Sequence, residues 1–151
     1  MDDNDLTLQI KDSILNLRVL LLISTPNGYI FEVHEDGFCF AIGGRIKLNE
    51  SSMDAAKREF REEMLQDDID LNLIGIVENF FIYKGIKYHE INFVYDGIIN
   101  KNINLTELHS DHVGYRYIQP TEAETINIKP KAILNIFKTK KAFHHLINKD
   151  Y

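Results

Sequence analysis

The sequence predicts an α+β domain, an α/β/α sandwich in which helices flank a mixed central sheet. The order of the elements predicts this class, because strands, a helix, more strands and a second helix follow one another along the chain. Composition agrees, since 44% of the 151 residues are apolar and 26% are charged, which is typical of a globular chain. No low-complexity or proline-rich linker divides the chain, so we expect residues 1–151 to form a single domain.

β-type runs alternate with turn signals in the first part of the chain. Val, Leu and Ile dominate the first run, and Pro26-Asn27-Gly28 provides the turn after it. A second turn at Asp36-Gly37 separates the next two runs. The predicted strands cover residues 15–24, 29–35 and 38–42.

A helix is predicted from about Ser52 to about Leu65. Ser51 stands three residues before Asp54 in a capping-box arrangement, and apolar residues recur at spacings of three and four. Two long β-type runs then meet at Lys84-Gly85, where only a tight hairpin turn fits. The remaining predictions are strands at 71–83 and 86–99, a polar loop at 100–111, a strand at 115–118 and a C-terminal helix from 130 to about 148.

Charge and composition restrict the partners of the protein. The chain has 23 acidic and 17 basic residues, and this formal net charge of −6 disfavours an extended nucleic-acid partner. Cys39 has no second cysteine to pair with, and the acidic residues 1–5 do not resemble a secretory signal, so we expect a cytoplasmic location. The longest aliphatic run, residues 19–23, is too short for a membrane-spanning helix.

Three glutamates share one face of the predicted helix. Glu59, Glu62 and Glu63 stand at i, i+3 and i+4, so their side chains fall within an arc of roughly 100°. Like charges at this spacing destabilise a helix by about a few tenths of a kcal/mol per pair unless a cation binds them. Carboxylate oxygens are suitable ligands for Mg²⁺ or Mn²⁺, and Mg²⁺ is usually held by a few carboxylates together with substrate phosphates and water.

Neighbouring residues are suited to support a metal-bound phosphate. Arg58 can pair with a carboxylate and fix its orientation, and Glu50 lies just before the positive N-terminal end of the helix. Gly43 and Gly44 let the backbone approach a phosphate without side-chain obstruction. Arg45, next to these glycines, could contact the phosphate or simply face water, and we favour the phosphate.

The joint spacing of these residues resembles the Nudix hydrolase signature, G-x5-E-x7-R-E-U-x-E-E-x-G-U, in which U is apolar. The segment from Gly44 to Gln66 matches seven defined positions and departs at the last two, where Leu65 replaces a glycine and Gln66 replaces an aliphatic residue. A glycine at this place lets a helix end in a left-handed conformation. With Leu65 we expect the helix to continue by a turn or to end differently near Asp67-Asp68.

The resemblance implies a Nudix fold and a Mg²⁺- or Mn²⁺-dependent pyrophosphohydrolase. Its substrate would be a nucleoside diphosphate linked to another moiety: an NTP, a nucleotide sugar, ADP-ribose or a dinucleoside polyphosphate. Carried over by position, Glu59, Glu62 and Glu63 would be metal ligands, and one of them could also orient or deprotonate the attacking water. Glu50 and Arg58 would complete the catalytic set. Because Nudix relatives are frequently dimers, a homodimer is also expected.

Two residues outside the signature are candidate substrate-binding residues. Tyr83 lies 17 positions after Gln66, where dinucleoside polyphosphate hydrolases tend to carry a tyrosine, although a tyrosine in a strand needs no function. Glu90 could approach the metal, but a solvent-facing strand carboxylate is the simpler interpretation, and Glu78 and Glu107 are rival candidates. Two other functions stay open: a Nudix-fold sensor that binds a nucleotide without cleaving it, and a hydrolase of RNA 5′ ends.

Overall fold

A computed structural model describes residues 2–139 and 141–151, and these form a nine-stranded mixed sheet with two α-helices. Two single turns of 3₁₀ helix lie at Leu105–Glu107 and Ala123–Thr125. The strands are β1 (Thr7–Ile10), β2 (Ser13–Thr25), β3 (Gly28–Val33), β4 (Cys39–Arg45), β5 (Asn72–Tyr83), β6 (Ile86–Ile98), β7 (Gly114–Ile118), β8 (Ile128–Lys129) and β9 (His144–Asp150), and the helices are α1 (Ser52–Met64) and α2 (Ile133–Lys138).

β2 is the central strand of the sheet. The main strand order is β7-β3-β4-β2-β6-β5-β9, with β1 paired to β2 and β8 paired to β4. β2 pairs antiparallel with β4 and parallel with β6, and the parallel register runs from Ser13 opposite Lys87 to Ser24 opposite Ile98. The uninterrupted aliphatic residues 19–23 are all buried, because apolar clusters cover both faces of the sheet here.

The two helices cover opposite faces of the sheet. One apolar cluster packs Phe60 and Met64 of α1 against Val19 and Leu21 of β2. The other packs Ile133 and its neighbours in α2 against the opposite face. A helix on each side of a mixed sheet confirms the predicted α+β sandwich. Among the described residues, neither helix has the length and hydropathy that a membrane crossing requires.

Helix α1 (Ser52–Met64) agrees with the predicted bounds, from about Ser52 to about Leu65, but its exit is not altered as expected. The Ser51 hydroxyl accepts a hydrogen bond from the Asp54 N–H at 3.0 Å, as a capping residue does. Leu65 has φ 51° and ψ 37°, the left-handed conformation, and its N–H donates to the Arg61 carbonyl. The expected extension past Leu65 is therefore wrong, because this leucine adopts the conformation that glycine usually supplies at a helix end. The left-handed backbone costs about 1–2 kcal/mol for a residue with a Cβ.

The predicted C-terminal helix is mostly wrong. Only Ile133–Lys138 is helical, and β9 pairs with β5 in parallel from His144 opposite Gly75 to Asp150 opposite Phe81. Burial in β9 alternates, with His144 buried and Leu146 half-buried between exposed neighbours. This period of two belongs to a strand, whereas the apolar spacing within α2 is helical and obscures the change. The structure does not describe residue 140 between these elements.

Candidate active site

Two glycines bring the backbone of β4 against the carboxylates of α1. Gly43 has φ +154°, and its N–H donates to Glu63 Oε2 at 3.1 Å. A Cβ on Gly44 would collide with the Glu59 carboxylate, and a Cβ on Gly43 would collide with the Val19 carbonyl oxygen. At Gly43 the obstacle is backbone and φ is positive, so only glycine fits, whereas a side chain at position 44 would displace the Glu59 carboxylate. The structure therefore brings Gly43 and Gly44 together with two of the three predicted metal ligands.

Arg58 fixes the carboxylates around it. Its Nε and Nη2 donate to Glu50 at 2.7 and 2.9 Å, and its Nη1 donates to Glu59 Oε1 at 2.8 Å. Nη2 also donates to the Arg45 carbonyl at 3.0 Å, while Glu62 lies farther away, with 3.5 Å between Nη1 and its Oε2. The Arg58 guanidinium holds the pKa of Glu50 below its usual range. Arg58 thus orients Glu50 and Glu59 and leaves Glu62 relatively free.

Burial changes the protonation of the glutamates on α1. It raises the pKa of Glu63 to about 9, and the negative charges of Glu32 and Glu59 contribute to this shift. Burial also raises the pKa of Glu59, although the Arg58 guanidinium opposes the change. Without a cation, the charged forms of Glu59 and Glu63 are unfavourable, because both carboxylates are buried near other negative charges. Because hard oxygen ligands crowd together here, the donor set fits a divalent cation such as Mg²⁺ or Mn²⁺.

Glu32 is a buried carboxylate that sequence reasoning missed. It lies on β3 with 5% of its surface exposed, and it accepts a hydrogen bond from the Ser110 hydroxyl. Burial raises the pKa values of Glu32 and of Tyr115 nearby, and the negative charges of Glu63 and Glu32 add to the shift of Tyr115. In the sequence, Glu32 is one polar residue in a predicted strand. Only the pairing of β3 with β4 and the approach of α1 place it beside Glu63.

An aromatic pocket opens on the face of the sheet to which Arg18 and Leu20 project, the face opposite α1. Its volume is about 290 Å³. The His34 ring stacks on Phe38 with 4.3 Å between centroids, and Lys129 Nζ lies 4.6 Å from the Phe38 centroid on the ring face. Other lining residues are Arg18, Leu20, Phe40, Asn79, Phe81, Ile82, Tyr83, Glu90, Asn92, His112, Pro130, Asn148 and Asp150. Flat aromatic walls with a few amide and charged groups suit a heterocyclic ligand.

Both candidate substrate-binding residues outside the signature line this pocket. The Tyr83 hydroxyl donates to Asp36 Oδ2 at 3.2 Å. Glu90 is 9% exposed, and its Oε2 accepts from Asn16 Nδ2 at 3.1 Å, so the solvent-facing interpretation of this strand carboxylate is wrong. The Nε of Arg45 donates to Asn16 Oδ1 at 3.4 Å, which places it on the same side of the sheet.

Glu78 and Glu107, the other candidates for the role of Glu90, do not line the pocket. Glu78 pairs with His145, with 2.6 Å between Oε2 and Nε2, outside the pocket lining. Glu107 is exposed on a 3₁₀ turn and accepts from Asn104. Of the three, Glu90 alone lines the pocket.

A second group of possible metal ligands lies at the mouth of the pocket. One ligand atom each from His34, Glu35 and His112 lies within 4.8 Å of the others. Glu35 Oε2 is 2.9 Å from His112 Nδ1 and 3.6 Å from His34 Nε2. His34 Nδ1 accepts the Asp36 N–H, so a neutral ring carries its proton on Nε2 and has no unused lone pair for a metal. The carboxylates of α1 are therefore the better metal ligands.

Comparison with known families agrees with this geometry. The model of the NUDIX domain matches residues 15–137, which is most of the chain. The chain belongs to the Nudix family. Nudix hydrolases act on phosphoric anhydrides, and the glutamates of α1 lie within the matched region. No curated protein matches the sequence significantly.

Solved structures share the fold at low sequence identity. The E. coli dihydroneopterin triphosphate pyrophosphohydrolase is 15% identical, with a TM-score of 0.65, over 81% of this chain and 92% of that chain. A MutT protein from Methanosarcina mazei Go1 is 17% identical, with a TM-score of 0.63, over 86% of this chain and 94% of that chain. An ADP-ribose pyrophosphatase from Streptococcus suis is 12% identical, with a TM-score of 0.54, over 88% of this chain and 98% of that chain. At these identities the likeness shows the Nudix fold.

Proposed function

We propose that this Nudix protein is a Mg²⁺- or Mn²⁺-dependent pyrophosphohydrolase formed by a single domain over residues 1–151. It cleaves a nucleoside diphosphate linked to another moiety, by attack of water at phosphorus. The observation that carries the proposal is the convergence of the α1 carboxylates on the glycine backbone of β4. A cytoplasmic location and a homodimer remain predictions from the sequence.

Glu59, Glu62 and Glu63 are the residues that would hold the metal ion. When bound, the ion would neutralise phosphate charge and lower the pKa of water. Arg58 and Glu50 keep Glu59 in one orientation through their hydrogen bonds. The Glu62 side chain is 56% exposed and makes only a long contact with Arg58, so it is free to orient water and accept its proton.

The aromatic pocket is the proposed nucleoside site. Phe38, Phe40 and Tyr83 offer ring surfaces, and Asn79 and Glu90 offer polar groups that can orient a base. A volume of about 290 Å³ suits one nucleoside and not an extended nucleic acid. Two structural neighbours carry names that describe action on dihydroneopterin triphosphate and ADP-ribose, both of which combine a heterocycle with linked phosphates.

The phosphates would lie at the end of β4. Gly43 and Gly44 leave this backbone without side chains, and Arg45 follows them on the pocket side of the sheet. A substrate with its base in the pocket would then place its diphosphate beside the carboxylates of α1. The candidate substrates are NTPs, nucleotide sugars, ADP-ribose and dinucleoside polyphosphates.

A hydrolysis panel tests the proposal. These four substrate classes and 5′-triphosphorylated RNA are incubated with Mg²⁺ or with chelator, using the parent protein, Glu62→Gln and Glu63→Gln. We expect Mg²⁺-dependent cleavage of at least one small nucleotide, and a loss of at least about 100-fold in each variant. Glu124→Gln is the matched control, because Glu124 pairs with Lys138 on the surface.

Other results would change the assignment. Nucleotide binding without any cleavage would contradict the proposal and favour the sensor. Cleavage of the RNA alone would favour a hydrolase of RNA 5′ ends. Full turnover by both glutamine variants would show that the carboxylates of α1 do not carry the reaction.

A further inference from the structure

We propose that Arg18 and Arg45 together form a clamp for a phosphate group of the substrate, with Arg18 as a binding residue outside the Nudix signature. This inference rests on the proposed function, because the phosphate is that of the nucleotide whose base occupies the aromatic pocket. It assigns a binding role to Arg18, whose side chain lies on the central strand of the sheet.

The register of the sheet places the two arginines side by side. β2 and β4 are antiparallel, and Arg18 is the direct partner of Arg45. Side chains of directly opposed residues project on the same face, with their Cβ atoms about 4.5–5.5 Å apart. Two positive charges directly opposite each other on neighbouring strands destabilise a sheet. An anion bound between the two arginines would offset this repulsion.

Most donors of the two guanidiniums are not used within the protein. Throughout residues 2–139 and 141–151, Arg18 makes no side-chain hydrogen bond and no ion pair, although its side chain is half-buried and lines the pocket. The Arg45 guanidinium has one hydrogen bond, from Nε to Asn16 Oδ1. Asn16 is 1% exposed and also binds Thr7 and Glu90, so it holds Arg45 from a fixed position.

Glu90 is the carboxylate that could neutralise this pair. Its Oε2 is taken by Asn16, and it lies outside ion-pair distance of both arginines. Among the described residues, no carboxylate forms an ion pair with Arg18 or Arg45, so both guanidiniums keep N–H groups for a ligand. Guanidinium forks match the oxygens of a phosphate in geometry as well as in charge. The free donors therefore favour a phosphate as the ligand.

The clamp lies between the pocket and the carboxylates. β4 pairs with β3 only from Cys39 to Ala41, so beyond this point β4 pairs with β2 alone. At this opening the Gly43 N–H meets Glu63. Gly44, the residue before Arg45, lies against the Glu59 carboxylate, so the arginine pair is one register position away from this contact. A phosphate held by the arginines would thus connect a base in the pocket to a diphosphate at α1.

Binding without metal tests the clamp separately from hydrolysis. Calorimetry measures the dissociation constants of ADP and inorganic pyrophosphate in chelator for the full chain and for Arg18→Gln, Arg18→Lys and Arg45→Gln. We expect Arg18→Gln and Arg45→Gln each to weaken ADP binding by about 10- to 100-fold, because a hydrogen bond to a charged group is lost. Arg18→Lys should lose less, since it keeps the charge but not the fork.

Arg116→Gln is the matched control. Arg116 also lies on a strand, but it faces Glu122 at a distance of 3.6 Å and does not line the pocket. It should bind ADP like the parent, and thermal melting checks that every variant is folded. ADP binding by Arg18→Gln equal to that of the control overturns the proposal. If Arg18→Gln is unfolded, ADP binding by Arg18→Lys equal to that of the control overturns the proposal instead.

The clamp and the proposed reaction can fail independently. A parent that binds neither ADP nor pyrophosphate in chelator contradicts the clamp, even if it hydrolyses nucleotides with Mg²⁺. A parent that hydrolyses nothing, but whose ADP binding depends on Arg18 and Arg45, contradicts the reaction and supports the clamp. In an active enzyme we also expect Arg18→Gln to raise KM by a similar factor.

Discussion

Metal binding should expel about one proton from each chain at neutral pH. Burial and the charges of Glu32 and Glu59 raise the pKa of Glu63 to about 9. At about pH 7 this carboxyl is therefore about 99% protonated in the metal-free protein. A metal ion binds the deprotonated carboxylate, so the proton must leave when the ion arrives.

The proton count can be measured by calorimetry. Mn²⁺ or Mg²⁺ is titrated into the protein in buffers that differ in their heat of ionisation, and the dependence of the observed heat on the buffer gives the number of protons released. We expect release of about one proton, and a metal affinity that rises about tenfold per pH unit below about pH 9. Glu63→Gln should reduce the release by about one proton. Glu62→Gln, whose parent side chain is 56% exposed, should leave it nearly unchanged.

The raised pKa of Glu63 also predicts how the stability of the metal-free protein changes with pH. The folded state holds a proton on Glu63 up to a pKa of about 9, whereas the ordinary value for glutamate is 4.5. Between these values the folded state binds more protons than the unfolded state, so its stability falls as the pH rises through this window. Mg²⁺ should reduce this loss. A metal affinity that does not change with pH, together with no proton release, would refute the argument.

Two substitutions test how α1 is held in place. Arg58→Met should lower the free energy of unfolding by about 2–4 kcal/mol, because Glu50 and Glu59 lose their hydrogen-bond donor. Urea titrations measure this loss, and an unchanged midpoint of unfolding would contradict the positioning role of Arg58. Leu65→Gly should raise the free energy of unfolding by up to about 1 kcal/mol, because glycine adopts the left-handed conformation without a Cβ penalty. Leu65→Ala keeps the Cβ and should not stabilise, so an equal gain from both would rule out this cause.

Local spacing was sufficient to predict α1 and its carboxylates. The capping residue Ser51 and the apolar positions of this helix lie within a few turns of one another, so the sequence pattern contains the relevant contacts. The role of the glycines was also predictable from local sequence, because the contact of Gly44 with Glu59 joins one strand to the helix that follows it. Leu65 shows the limit of such patterns, since the helix ends there despite the missing glycine.

Contacts between distant segments were not predictable from the sequence. Arg18 stands at the edge of an aliphatic run, and only the register of β2 with β4 shows that it faces Arg45. Glu32 is likewise placed beside Glu63 by pairing and packing of separate elements. The strand nature of β9 depends on its pairing with β5, which supplies hydrogen bonds that no local pattern of residues 144–150 contains.

The long-range pairing of β9 also affects the order in which the protein can be completed during synthesis. The carboxylates of α1, with Gly43 and the two arginines, all lie within the first 63 residues. One wall of the pocket instead needs Asn148 and Asp150 on β9, and Asn148 Nδ2 donates to Asn79 on β5. A growing chain emerges from the ribosome with its N-terminal part first. The proposed metal-binding residues therefore leave the ribosome well before the proposed nucleoside pocket can close, and a nascent chain would acquire these two parts at different times.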